Sequence, residues 1–238
     1  MTRNNTDGAI LPDVLYEDNH LIAVNKRPSD IVQGDRTGDV PLSEQVAEYI
    51  AAKYEKPGKA FIGVTHRIDR PVSGVVLFAR TSKALARINQ MFRENTIRKT
   101  YWAVVSARPP QTEGELTNHL LKHADTNKSV VVSPGKGKEA ITRYKLLLSS
   151  DRYHLLEVKP LTGRHHQIRV QLAHMGCPIK GDLKYGAKRS NQDASIHLHA
   201  RSIHLEHPVR KDEMEIVAPP PSGDPLWQFF TQQLQVAK

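Results

Sequence analysis

Residues 65–105, THRIDRPVSGVVLFARTSKALARINQMFRENTIRKTYWAVV, carry a strand, a helix and a second strand in succession. The run from Gly74 to Arg80 is short, apolar and rich in β-branched residues, which predicts a buried strand. Thr81 or Ser82 then offers an N-cap. Leu85, Ile88, Met91 and Phe92 fall on one face of the following helix, with Arg87 and Arg93 elsewhere on it. KTYWAVVSA, from Lys99, predicts the next strand.

Working outward, LPDVLYEDNHLIAVNK reads as two short strands joined by a turn at Glu17–Asp18–Asn19–His20. PLSEQVAEYIAAKYE, from Pro41, places Val46, Ala47, Ile50 and Ala51 at helical spacing, and Lys56–Pro57–Gly58 stops that helix. Downstream, residues 113–140 are polar and rich in Gly and Lys, which predicts a long loop or a hairpin. ITRYKLLLSS and YHLLEVKP read as a strand pair. HQIRVQLAHMG gives a short helix with Ile168, Leu172 and Met175 inward and Gly176 as its C-terminal cap. Short strands around His199–Leu205 and Met214–Val217 and a final amphipathic helix, PLWQFFTQQLQ, complete the order. Strands and helices do not alternate regularly, so the expected class is α+β with a mixed, largely antiparallel β-sheet and flanking helices. Without a repeat or a Ser/Gly linker, one domain is expected over 14–238, behind a loose polar segment 1–13.

The composition is that of a soluble globular protein, with 39% hydrophobic and 25% charged residues. No run approaches the length of a membrane span, and no secretory signal opens the chain. One cysteine, Cys177, excludes an intramolecular disulfide and suits a reducing compartment. Lys and Arg total 34 against 25 Asp and Glu, a formal net charge of +9. Such a balance draws a protein to polyanions, RNA foremost, although it serves solubility equally well.

Three segments put polar groups where packing does not ask for them. HRIDRPVSG, residues 66–74, sets Asp69 between Arg67 and Arg70 just before a strand. Flanking cations favour an ionised carboxylate, so this is a candidate nucleophile or base; taken alone, the segment reads more readily as a turn aspartate with solvated neighbours. KTYWAVV, residues 99–105, puts Tyr101 and Trp102 on opposite sides of a strand behind a basic cluster. Aromatics beside cations suit base stacking with phosphate contact, or simply core packing. In Leu161–Ala173, residues Arg164, His165, His166, Gln167 and Arg169 crowd a helix start, where backbone amides favour anions. A solvated basic face is the alternative.

Other motifs fall short of a function. HRID lacks the Asp directly after Arg that a kinase loop needs. PGKGKEA lacks the first Gly and the final Ser or Thr of a phosphate-binding loop. Twelve histidines, His197 and His199 among them, show neither CxxC nor HExxH spacing, so no metal site is expected. Cys177 reads as a small buried residue.

Together the three segments resemble the RluA-type family of pseudouridine synthases. HRIDRPVSG is similar to that family's HRLDxxTSG, KTYWAVV to its KxYxAxV, and GRHHQIRVQLAHMGCPIKGD to its GRxHQIRxHxxxxGxPIxGD. Order and spacing match, and the similarity runs from VLYEDNHLIAVNK through LHARSIHLEHP, most of residues 14 to 208. The resemblance implies the pseudouridine synthase fold with a central RNA-binding cleft, and isomerisation of uridines in structured ribosomal or transfer RNA. It implies Asp69 as the catalytic aspartate, Tyr101 as the tyrosine packing on the target base and Arg169 as the cation paired with the aspartate. Arg67 corresponds to the arginine that fills the space of the flipped nucleotide, and Arg70, Lys99, Arg164, His166 and Gln167 are expected to contact RNA. No cofactor and no metal are implied, and a cytoplasmic monomer is expected.

The sequence departs from the family pattern in places. Ile68 stands for Leu, Val72 for Thr and Gln171 for a common His, and KRPSDIVQ differs from the usual KPSGLxV in the loop that faces RNA. The small RNA-binding domain often fused ahead of this catalytic domain is not expected here. Two readings compete: an RNA-binding or ribosome-assembly protein that keeps the fold without turnover, and a metal-dependent nuclease using the histidines. The presence of both Asp69 and Arg169 counts against the first, and the lack of metal spacing counts against the second.

Overall fold

The computed structural model of the chain describes residues 11–35 and 38–236. Most of the expected loose segment, residues 1–10, therefore lies outside the described residues. The described chain gathers into two compact units, one up to Ile97 together with Ser202–Pro219, the other Arg98–Arg201 together with Pro220 onward.

The first unit opens with β1 (Val14–Glu17) and β2 (Leu21–Lys26), followed by α1 (Leu42–Lys53), β3 (Gly63–Val64), β4 (Ser73–Ala79) and α2 (Ser82–Arg93). The β1–β2 turn forms because the Asp18 carboxylate accepts from the amides of His20 and Leu21 at 2.8 and 2.7 Å. β2 pairs antiparallel with β1 and β4, and β3 adds two residues against the end of β4. All seven residues of β4 are buried, as its apolar run predicts. Thr81 caps α2, its side chain accepting from the Ala84 amide at 3.1 Å. Ala84 and Ile88 are buried in the core with Leu21, Ala23, Val75 and Leu77, and Leu85, Met91 and Phe92 pack against it. The helix face read from the sequence is the one that packs.

The second unit contains β5 (Arg98–Val105), β6 (Glu113–His123), β7 (Lys128–Val132), β8 (Lys138–Ser149), β9 (His154–Pro160) and α3 (Gln167–His174). β10 (Leu198–Glu206) begins here; its later residues pair in the first unit with β11 (Glu213–Val217), and α4 (Pro225–Val236) ends the described chain. The strands from β5 to β7 form an antiparallel run in the order β5-β9-β8-β6-β7. Residues 113–140 thus form the hairpin and not the long loop. Of β6 only Leu120 is fully buried. Backbone pairing on both of its edges makes it a strand, because its side chains supply little apolar alternation. α4 lays Trp227 and Phe230 on Val104 and Leu155, with Trp102 packed alongside. The architecture is α+β, as expected.

α3 departs from its expected one-sided pattern. Six of its eight residues are buried, among them Gln167, Arg169 and Gln171. It touches β6, β7, β8 and β9, so little of it beyond His174 is left to water, and polar side chains enter the interior with partners. Met175, expected inward, caps the helix and is only partly buried. Gly176 follows at φ 87°, the left-handed geometry that ends a helix most easily at glycine.

Candidate active site

Asp69 sits in the first unit, on the loop between β3 and β4. The loop leaves the β4 ladder after Val64, and side chains take over as anchors. Thr65 Oγ1 donates to the Leu77 carbonyl at 2.6 Å, and His66 Nε2 accepts from the Leu77 amide at 3.0 Å. Ile68 and Val72 are buried on either side, and the Val72 amide donates to the Asp69 carbonyl at 3.0 Å. Gly74 re-enters the strand at φ 115°, a geometry that favours glycine. Asp69 is half-buried and Arg67 is exposed. The Arg70 side chain is exposed and pairs with Asp39 at 2.5 Å.

Beneath this loop lies Lys26, a residue the sequence reading did not single out. It is 1% exposed. Its ammonium donates to the carbonyls of Arg27 and Arg70 at 2.8 and 3.0 Å. Burial pushes its pKa down to about 7, although the carboxylates of Asp30 and Asp69 pull it back up. The Ser29 amide donates to the same Arg70 carbonyl at 3.0 Å. Two donors from the 26–29 turn therefore hold the backbone next to Asp69. A lysine at a strand end gives no sequence signal of such burial, since lysine is normally exposed.

Tyr101, Lys99 and Arg169 belong to the second unit. Tyr101 is half-buried on β5, opposite Val158 of β9. Trp102, on the other face, takes the packing role: it lies against the α4 cluster, with the Arg201 guanidinium 4.4 Å above its ring. The Lys99 ammonium lies close to Gly163, and burial lowers its pKa.

Arg169 is 5% exposed and forms a bidentate pair with Asp182, Nε to Oδ2 at 2.7 Å and Nη2 to Oδ1 at 2.9 Å. Its guanidinium also lies 5.2 Å from the centre of the Tyr185 ring. Asp182 and Tyr185 were not singled out from the sequence. The only signal was that GRHHQIRVQLAHMGCPIKGD ends on the Gly–Asp pair.

The remaining residues expected to contact RNA divide by exposure. Arg164 is exposed, its Nε donating to the Glu139 carbonyl at 2.8 Å. His166 and Gln167 are buried and spend their polar atoms inside the unit. Gln167 donates to the Ile141 carbonyl and Thr142 Oγ1, and accepts from Thr162 and the Arg164 amide. His166 sits at φ 54° and stacks 3.8 Å from His165. The Ser129 amide donates to Tyr185 Oη, and the same hydroxyl is hydrogen-bonded to His166 Nδ1 at 2.8 Å. Burial first, then the charges of Arg169, His165, Lys184 and Lys122, pushes the His166 pKa down to about 2. The sequence pattern could not separate these inward groups from outward ones, because the helix they start is buried over six consecutive residues and not along one face.

Among the described residues no group of three or more His, Cys, Asp or Glu could hold a metal ion, and no helix is long and apolar enough to cross a membrane.

Residues 20–174 match the family model described as RNA pseudouridylate synthase. Ribosomal large subunit pseudouridine synthase C of Vibrio parahaemolyticus is 34% identical over 212 residues, covering 87% of this chain and 65% of that protein. The protein of the same name from Rickettsia prowazekii is 34% identical over 229 residues, covering 94% of this chain and 72% of its own length. This chain therefore spans about two thirds of the length of such relatives. Among solved structures, Human RNA Pseudouridylate Synthase Domain Containing 4 superposes with a TM-score of 0.72 at 25% identity, covering 93% of this chain and 91% of that one. With the motif order, the fold and these matches in agreement, the chain belongs to the RNA pseudouridylate synthase family.

Proposed function

We propose that this chain isomerises uridines in structured RNA to pseudouridine, with Asp69 as the essential carboxylate. The reaction breaks the bond between ribose and a uracil nitrogen, turns the base and rejoins it through carbon 5. Nothing is oxidised and no group is imported, so the chemistry calls for no cofactor or metal. It calls for a carboxylate that adds to carbon 6 of the ring, assists at the anomeric carbon or withdraws the ribose 2′ proton. The mounting of Asp69 carries this reading. Its loop is pinned through Thr65, His66 and the buried Lys26, which is what an aimed carboxylate requires and a solvated turn does not.

Arg169, its guanidinium presented from the bidentate pair with Asp182, is assigned as the cation that acts with Asp69 in the reaction. Tyr101 stacks on the uracil and takes up the proton leaving carbon 5. The target nucleotide is flipped out at a cost of a few kcal/mol, and Arg67 fills the gap it leaves. Arg70, Lys99 and Arg164 provide phosphate contacts, so RNA affinity falls with salt. His166 and Gln167 serve the RNA through the turn they hold, since their polar atoms are engaged inside it. The names of the relatives favour RNA of the large ribosomal subunit as substrate. We take the protein to act as a cytoplasmic monomer, its 14–238 region working as one catalytic domain.

The test is tritium release from RNA labelled at carbon 5 of uridine, taken from cells lacking the gene. Wild type should release tritium and Asp69→Ala should not. Equal release from both removes Asp69 from the mechanism, and tight binding with no release from either supports an RNA-binding protein without turnover.

A further inference from the structure

Arg169 is held by more contacts than burial alone requires. Asp182 takes its Nε and Nη2 in a planar two-point pair, and the Tyr185 ring covers it. The side chains of Arg169 and Asp182 are 6% and 1% exposed. A buried ion pair of this kind adds little net stability, because desolvation of both charges offsets their attraction. What it does provide is direction: a fork-to-fork pair leaves the guanidinium one orientation.

The support behind Asp182 is equally fixed. Its amide donates to the Ile179 carbonyl at 3.1 Å, and its carbonyl accepts from the amides of Tyr185 and Ala187, each at 3.0 Å. Gly181, just before it, adopts φ 88°, and a Cβ there would lie 2.7 Å from the Ser195 carbonyl oxygen. Only glycine lets the chain pass this closely. Tyr185 is tied in turn through its hydroxyl to Ser129 and His166.

We propose that Asp182 is a positioning residue for the isomerisation, acting through Arg169 by locking its guanidinium in one orientation. This rests on the role given to Arg169 above. Asp182 touches neither substrate nor reacting atom; it sets where the Arg169 charge is presented.

Asp182→Asn keeps the shape and removes the charge. We expect kcat to fall about 100-fold, the scale of a small misplacement of a catalytic group, with KM for RNA unchanged. In an Arg169→Lys background the same substitution should remove little further activity. A residue needed only for folding would subtract equally from both backgrounds. If Asp182→Asn does not fold, Asp182→Glu retains the charge and shifts the guanidinium, and the same loss of kcat at unchanged KM is expected. Nitrogen NMR of the Arg169 side chain, assigned by its loss in Arg169→Lys, reports the lock without turnover. Separate guanidinium resonances should appear in wild type and collapse in Asp182→Asn. Wild-type kcat in both Asp182 variants, equal loss in both backgrounds, or a guanidinium already mobile in wild type overturns the proposal. A wild type that never turns over, yet shows Arg169 locked and then released by Asp182→Asn, sinks the enzymatic reading and leaves the lock standing.

Discussion

The Lys26 ammonium donates to the Arg70 carbonyl at 3.0 Å, so the end of strand β2 holds the backbone next to Asp69 from below. A buried amine in that place links the mounting of the Asp69 loop to pH.

Burial lowers the Lys26 pKa from 10.5 to about 7 in the folded chain. Between those values the unfolded chain binds a proton that the folded chain does not, so stability rises with pH across the window. The contribution is fully present above 10.5 and lost as pH falls to about 7. Urea unfolding from pH ~6 to ~10 should show this rise in wild type, and Lys26→Met should flatten it. At alkaline pH the variant should be the less stable by about 1–2 kcal/mol, since the Arg27 carbonyl loses its buried donor. A wild-type profile parallel to that of Lys26→Met would show that the amine does not titrate in this range.

His166 carries the opposite half of the pH profile, in the second unit. Its folded pKa is pushed from 6.5 down to about 2. Below 6.5 the unfolded chain takes up a proton that the folded chain refuses, so stability drains away as pH falls toward about 2. His166→Gln cannot titrate, and its side-chain amide can still hydrogen-bond with the Tyr185 hydroxyl. The variant should melt lower than wild type at neutral pH yet lose less on acidification. Melting curves in a series of acidic buffers would decide it; equal acid sensitivity in the two proteins would refute the assignment.

How much of this was legible in the sequence varies with the physics of each element. α2 was, because a helix on a core shows its apolar face at Leu85, Ile88, Met91 and Phe92, and Thr81 marks its start. β4 was, because a buried strand must be apolar throughout. β6 was ambiguous, since its pairing uses backbone atoms that every residue carries. Within the site, HRIDRPVSG pointed to Asp69 and the strand alternation set Tyr101 apart from Trp102. Lys26 and Asp182 stayed invisible, because their importance lies in contacts to residues distant in sequence: Arg70, 44 residues from Lys26, and Arg169, 13 residues from Asp182. Inward glutamines look like outward ones until the surrounding strands are in place.

Gln171 tests that last point. Its amide nitrogen donates to the carbonyls of Leu116 and Ala140 and to Asn118 Oδ1 at 2.9–3.0 Å, and its oxygen accepts from Thr142 at 2.7 Å. Gln171→Leu is similar in size but strands these buried groups. A loss on the order of 3 kcal/mol is expected, read as a lower urea midpoint at unchanged slope. A loss under about 1 kcal/mol would mean that strands β6 and β8 do not depend on this side chain.

Gly181 and Gly186 give a paired test of how rigidly the 179–187 turn is mounted. Both take positive φ, 88° and 97°, so alanine is strained at either position. They differ in surroundings. A Cβ at Gly186 meets nothing within 4 Å, whereas one at Gly181 meets the Ser195 carbonyl oxygen at 2.7 Å and Asn191 Nδ2 at 2.8 Å. Asn191 cannot swing aside cheaply. It donates to the Ser195 carbonyl at 3.0 Å, and its oxygen accepts from Lys180 at 2.7 Å. Gly186→Ala should therefore destabilise by about 1 kcal/mol, from backbone strain alone, and leave turnover intact. Gly181→Ala should lose about 2–3 kcal/mol or more. Because Asp182 is the next residue, its kcat should fall while RNA affinity holds. Urea unfolding and tritium release on the two variants separate the cases, since strain is common to both and only Gly181→Ala displaces the turn that carries the Arg169 partner.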